Sequence, residues 1–81
     1  MKTKIQDWLP AQEVMERVNA KERFHVYVCG EWCIIKGACL LDYSGYIRFY
    51  ISGELCGANS MSVLPNDTIE VSYYVNKTQE S

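Results

Sequence analysis

The stretch GYIRFYISG, residues 45–53, alternates so regularly that as a strand it sends Ile47, Phe49 and Ile51 to one face and Tyr46, Arg48 and Tyr50 to the other. A one-residue slip would expose the phenylalanine and bury the arginine, so this segment decides which side of its sheet is core. The same period of two starts at Phe24, runs through FHVYVC and WCIIKGACLLDY, and resumes in TIEVSYYV. There Ile69, Val71, Tyr73 and Val75 oppose Glu70, Ser72 and Tyr74. Upstream of Phe24 the period is helical. Asp7 and Pro10 open it, Ala11, Val14, Met15 and Val18 form an apolar stripe, and Gln12, Glu13, Glu16, Arg17 and Asn19 form the polar side. The spacing predicts one helix at about residues 9 to 21.

Turn chemistry then sets the strand pairing. Gly30-Glu31 reads as a type II′ turn, which pairs Cys29 with Trp32 and Val28 with Cys33. Tyr43-Ser44-Gly45 reads as a three-residue loop ending in a left-handed glycine, which pairs Leu41 with Ile47 and Cys39 with Phe49. Both choices put Phe24, Val26, Val28, Cys33, Ile35, Cys39, Leu41, Ile47, Phe49 and Ile51 on one face. His25, Tyr27, Trp32, Ile34, Lys36, Leu40, Asp42, Tyr46, Arg48 and Tyr50 fall on the other. CGANSMSVLPND reads as turn-rich, and a further strand spans about 68 to 75. The expected fold is α+β: one N-terminal helix on an antiparallel sheet of three to five strands, a meander of hairpins forming a single domain over 1–81. Residues 1–6 and 76–81 are expected to be flexible ends.

At 81 residues a single core only just outweighs chain entropy, which leaves little stability for a strained or deeply polar active site. The net charge is −2, and the lysines and arginines are dispersed rather than gathered in a stripe, which argues against duplex nucleic acid. The N-terminus lacks a signal-peptide apolar run and no segment approaches a membrane span, so a cytoplasmic protein with reduced thiols and no membrane association is expected. Cys29, Cys33, Cys39 and Cys56 lack the C-x2-C opening of a zinc knuckle, and the faces assigned above hold their sulfurs apart. No metal or other cofactor is expected. His25, the only histidine, lies about 13 Å along the strand from Cys29, too far for a nucleophile–base pair.

Three short stretches resemble known families. GANSMSVLPNDTIEV, residues 57–71, resembles the nucleophile segment of LexA and signal-peptidase type serine peptidases, through Ser60-Met61 and Asp67-Thr68-Ile69. Its spacing is short, Asn66 stands where that family has glycine, and Lys77 follows too soon for the family's lysine. WLPAQEVMERVNA resembles the first helix of phage excisionase-type DNA binders but is followed by strand periodicity rather than a second helix. SGYIRFYI is similar to the aromatic strand of RNA-recognition domains, with Arg48 in place of a central aromatic. None of these carries a family assignment.

The remaining signal is the aromatic content of the polar face. Tyr27, Trp32, Tyr46, Arg48, Tyr50 and Tyr74 are the residue types that dominate interface energetics, and they read as partner-binding, with Tyr43 at the rim. The expected function is therefore a small non-catalytic binding protein that meets another protein or a second copy of itself as a homodimer. One form of it is a phage or mobile-element accessory protein inhibiting a larger host complex, as anti-CRISPR proteins do. The alternatives are a single-stranded nucleic-acid or nucleotide binder using Tyr and Arg stacking, and a small hydrolase built on Ser60.

Overall fold

A computed structural model of the protein describes residues 2–41 and 44–76. The elements are β1 (Lys2–Pro10), α1 (Ala11–Asn19), β2 (His25–Val28), β3 (Glu31–Leu41), β4 (Tyr46–Gly53), β5 (Gly57–Val63) and β6 (Thr68–Asn76). They build one six-stranded antiparallel sheet in the order β1-β6-β2-β3-β4-β5, with α1 packed on its inner face. The α+β class holds. The sheet has six strands rather than three to five, and only β2 to β5 form a meander, because β6 inserts between β1 and β2.

The extra strands are the two at the sheet edges. Residues 1–6 were expected to be flexible, yet Lys2 to Pro10 pair along the whole of β6, from Lys2↔Asn76 to Pro10↔Thr68. The helix accordingly begins at Ala11, later than residue 9, and ends at Asn19. The stretch read as turns between Cys56 and Asp67 contains β5, paired with β4 from Ile47↔Val63 to Gly53↔Gly57. Residues 77–81, and the rim residue Tyr43 with Asp42, lie outside the described residues.

The connection from β5 to β6 reveals the shape of the sheet. β5 ends beside Ile47, which pairs with Leu40 at the far end of β3. β6 runs past the near end, where Val71 pairs with Val26 and Val26 with Cys33. Residues 64–67 let Val63 and Thr68 lie at most about 18 Å apart, far short of the separation a flat sheet would impose. The sheet is therefore strongly coiled around α1. Its closing loop also caps the helix: Ala11 N–H donates to the Asp67 carbonyl at 2.8 Å and Gln12 N–H to the Pro65 carbonyl at 3.1 Å. These bonds replace the side-chain cap that Pro10 cannot supply.

Ala11, Val14 and Met15 from α1 meet Phe24, Val26, Cys33, Ile35, Ile47, Phe49, Ile51, Ile69 and Val71 in one core. At the helix C-terminus Arg17 lies over Phe24 and Tyr73, its guanidinium 5.0 Å and 4.6 Å from the ring centroids. Glu22 holds it at 2.9 Å. The arginine thus closes the core with its apolar plane and faces water with its charge.

Two registers differ from those expected, with different consequences. The β2–β3 turn is Cys29-Gly30, both left-handed at φ 59° and 79°, as a type I′ turn requires, so Val26 rather than Val28 faces Cys33. A shift of two leaves every side chain on its assigned face. The β3–β4 hairpin is displaced by one, with Leu40↔Ile47, Cys39↔Arg48 and Leu41↔Tyr46, and a bulge between Ile35 and Gly37 absorbs the extra residue. Beyond the bulge the faces exchange. Cys39 and Leu41 lie on the outer face, not in the core, and Leu40 turns to the inner side beside Ile47 yet stays exposed.

Candidate partner-binding face

The six residues singled out above all occupy the outer face, but the structure divides them into two groups. Tyr46, Arg48 and Tyr50 line β4, flanked by Leu41 and Cys39 across β3 and by Ser62 and Ser60 across β5. The Tyr50 hydroxyl lies 3.8 Å from Cys39 Sγ, and Gly37 opposite Tyr50 presents no side chain. Tyr46 and Tyr50 are exposed. Arg48 lies between them with Nε buried and without a hydrogen-bond partner among the described residues.

The second group forms where β1, β6, β2 and β3 meet. Tyr27 and Trp32 face each other across the hairpin with ring centroids 5.2 Å apart and planes tilted by 59°. Lys4 extends from β1 to place its ammonium 5.9 Å from the Trp32 ring centroid. Lys4, His25, Trp32 and Tyr74 surround a concavity of about 310 Å³ floored by Ser72. Cross-strand register produces this gathering: Lys4 pairs with Tyr74, and Ser72 with both Gln6 and His25.

Trp8 belongs to the same surface and was missed by the sequence reading, which placed it at a helix start. As the partner of Glu70 on the outer side of β1 it is 60% exposed. The signal available was the alternation of Lys2, Lys4, Gln6 and Trp8 against Thr3, Ile5, Asp7 and Leu9, weakened by the single aspartate among the inward positions. Among the described residues this face carries Lys2, Lys4 and Arg48 against Glu70, whereas Glu13, Glu16, Glu54 and Asp67 sit on the helix and the turns.

The other candidates fare differently. Ser60 is mid-strand on β5 opposite Tyr50, with its backbone N–H donating to Asn59 Oδ1 at 2.8 Å; Lys77, the one lysine downstream of it, lies outside the described residues. His25 pairs with Ser72 and Ile34 in the middle of the sheet. The four sulfurs are not all held apart as expected, since Cys33 Sγ and Cys56 Sγ approach to 3.4 Å. Among the described residues no helix is long and apolar enough to cross a membrane. Comparison with protein families, characterised proteins and solved structures finds no match for this chain.

Proposed function

We propose that the protein is a non-catalytic binding module whose outer sheet face docks an acidic protein surface. One observation carries this reading: Trp8, Tyr27, Tyr46, Tyr50 and Tyr74 stand exposed on a face that no described element of the chain covers. So many large side chains on one side of a sheet exceed what a monomer ordinarily leaves to water. Lys4 and Arg48 among them favour carboxylates, and Tyr and Trp tolerate partial wetting in the free protein because each joins an apolar body to a polar tip. An inhibitor of a larger host assembly, as anti-CRISPR proteins are, would be one user of such a face; neither the fold nor the comparisons support that narrower assignment.

Replacing Tyr46, Arg48 and Tyr50 together by serine, and separately Tyr27, Trp32 and Tyr74, tests the reading. A random Glu/Tyr copolymer serves as the acidic probe, and tryptophan fluorescence, light scattering and thermal melts as the readouts. Each triple variant is expected to keep its fold and to weaken copolymer binding, since interface anchors typically cost about 2 kcal/mol or more each when truncated. Binding of oligo(dT) in preference to the copolymer would transfer the site to single-stranded nucleic acid, which the Lys4–Trp32–Tyr27 stack favours. Unfolding of the variants would assign these side chains to the core.

A further inference from the structure

We propose that Cys33 and Cys56 are a redox-active dithiol, which closes to an intramolecular disulfide by exchange with a small-molecule disulfide and thereby ties β3 to the β4–β5 turn. The sulfurs come from positions 23 residues apart and lie 3.4 Å from one another, so a closure of about 1.4 Å brings them to bonding distance. Cys56 sits in the turn between β4 and β5. Cys33 is fixed in the core.

The surroundings are built around this pair. Glu31, two residues before Cys33, accepts three backbone N–H bonds from the turn: Leu55 at 2.7 Å and Cys56 at 3.0 Å on Oε2, and Glu54 at 3.1 Å on Oε1. The carboxylate thereby seats residues 54–56 so that Cys56 rests over Cys33. Gly53 completes the arrangement. A Cβ there would come within 2.5 Å of Glu31 Oε2 and 2.7 Å of Cys33 Sγ, so a side chain would displace the carboxylate or the Cys33 sulfur. Glu31, Cys33 and Cys56 also bring three metal-ligand atoms within 4.8 Å. Yet the carboxylate is committed to three N–H donors, and a closed zinc site needs a fourth ligand, so the pair is arranged for sulfur–sulfur rather than metal chemistry.

The two thiols have distinct roles. Cys56 is half-buried and reachable, whereas Cys33 is fully buried. Burial, then the hydrogen bond and charge of Cys56, and then Glu31, push the Cys33 thiol up to about 12, so it keeps its proton. The Cys56 thiolate therefore attacks one sulfur of the small disulfide RSSR. The S–S bond breaks, RS⁻ departs, and Cys56 is left as a mixed disulfide. Cys33 then yields its proton to the departed thiolate and attacks Cys56 Sγ, which expels the second RS⁻. Two protein thiols are oxidised, one RSSR is reduced to two RSH, and the second thiol proton neutralises the second leaving group.

The full chain incubated with oxidised glutathione, quenched with iodoacetamide and mapped by mass spectrometry tests this. The expected product is 2 Da lighter before alkylation, carries a Cys33–Cys56 crosslink, alkylates only at Cys29 and Cys39, and melts roughly 10 °C or more above the reduced form. A C29S/C39S variant should behave identically. Glu31→Gln, which weakens the hold on the turn, should accumulate the Cys56 mixed disulfide because ring closure slows, and Cys56→Ser should show neither adduct nor crosslink at Cys33. A stable glutathione adduct on wild-type Cys56 without closure, a crosslink through Cys29 or Cys39, or stoichiometric zinc that blocks oxidation would each overturn the proposal.

Discussion

Phe49 carries more of the core than any other side chain in the central strands. It is fully buried, between Ala38 on β3 and Met61 on β5, and its strand neighbours Ile47 and Ile51 are buried beside it. Phe49→Ala removes the ring from a site hemmed in on both sides by paired strands that cannot collapse into the space. It is expected to cost roughly 3–5 kcal/mol in urea unfolding, close to the whole margin of a domain this size. A melt like that of the wild type would mean that β4 faces the other way. This residue was fully legible, because alternation in β4 names it. Arg17 was not: its position on the polar side of the helix predicts solvent, whereas its guanidinium covers Phe24 and Tyr73. Periodicity assigns a face, but it does not report where a long side chain folds back.

At the scale of elements, legibility follows how much apolar burial drives each strand. β2, β4 and β6 alternate cleanly, and their faces are as read. β1 and β5 pair on one side only, and their sequences, KTKIQDWLP and GANSMSV, carry little inward apolar surface, so pairing with a neighbouring strand rather than propensity makes them strands. The bulge in β3 was silent for another reason. One inserted residue leaves the alternation before it intact and inverts everything after it, so Cys39 and Leu41 looked like core. The candidate face survived because five of its six named residues lie outside β3 and the sixth, Trp32, precedes the bulge. The turns give a paired test of this geometry. Gly30 is left-handed, so Gly30→Ala should destabilise by about 1 kcal/mol. Gly37 is not left-handed and faces open space, so Gly37→Ala should be neutral or stabilise by up to about 1 kcal/mol. Equal losses at both positions in parallel melts would contradict the turn and bulge assignments.

The whole molecule sets its outer sheet face apart from the end where Glu31 holds the β4–β5 turn over Cys33, and that end governs how stability responds to pH. Desolvation opposes ionisation of Glu31, but the N–H donors of Cys56, Leu55 and Glu54 outweigh it and hold the carboxyl below the usual carboxylate range. A group whose folded value is lowered stabilises above its unfolded value, and that contribution disappears as pH falls through the folded one. Cys33 acts on the opposite limb. Its thiol ionises near 9 in the unfolded chain and near 12 in the folded one, so the folded state is favoured in full below pH 9 and loses this advantage progressively from 9 to 12. Chemical denaturation as a function of pH should therefore show an acid limb that flattens in Glu31→Gln and an alkaline limb that flattens in Cys33→Ser. Once Cys33 and Cys56 are joined, neither has a proton to lose, so the oxidised protein should keep the acid limb and shed the part of the alkaline decline that belongs to Cys33. The two forms differ only at Cys33 and Cys56, so the difference between the reduced and oxidised curves isolates the thiol contribution. It should be constant up to about pH 9 and then widen in favour of the oxidised form. Parallel curves through pH 11 would mean that the Cys33 thiol is not raised by its burial, and that the core closes over it less tightly than its packing against Val26 and the β4–β5 turn implies.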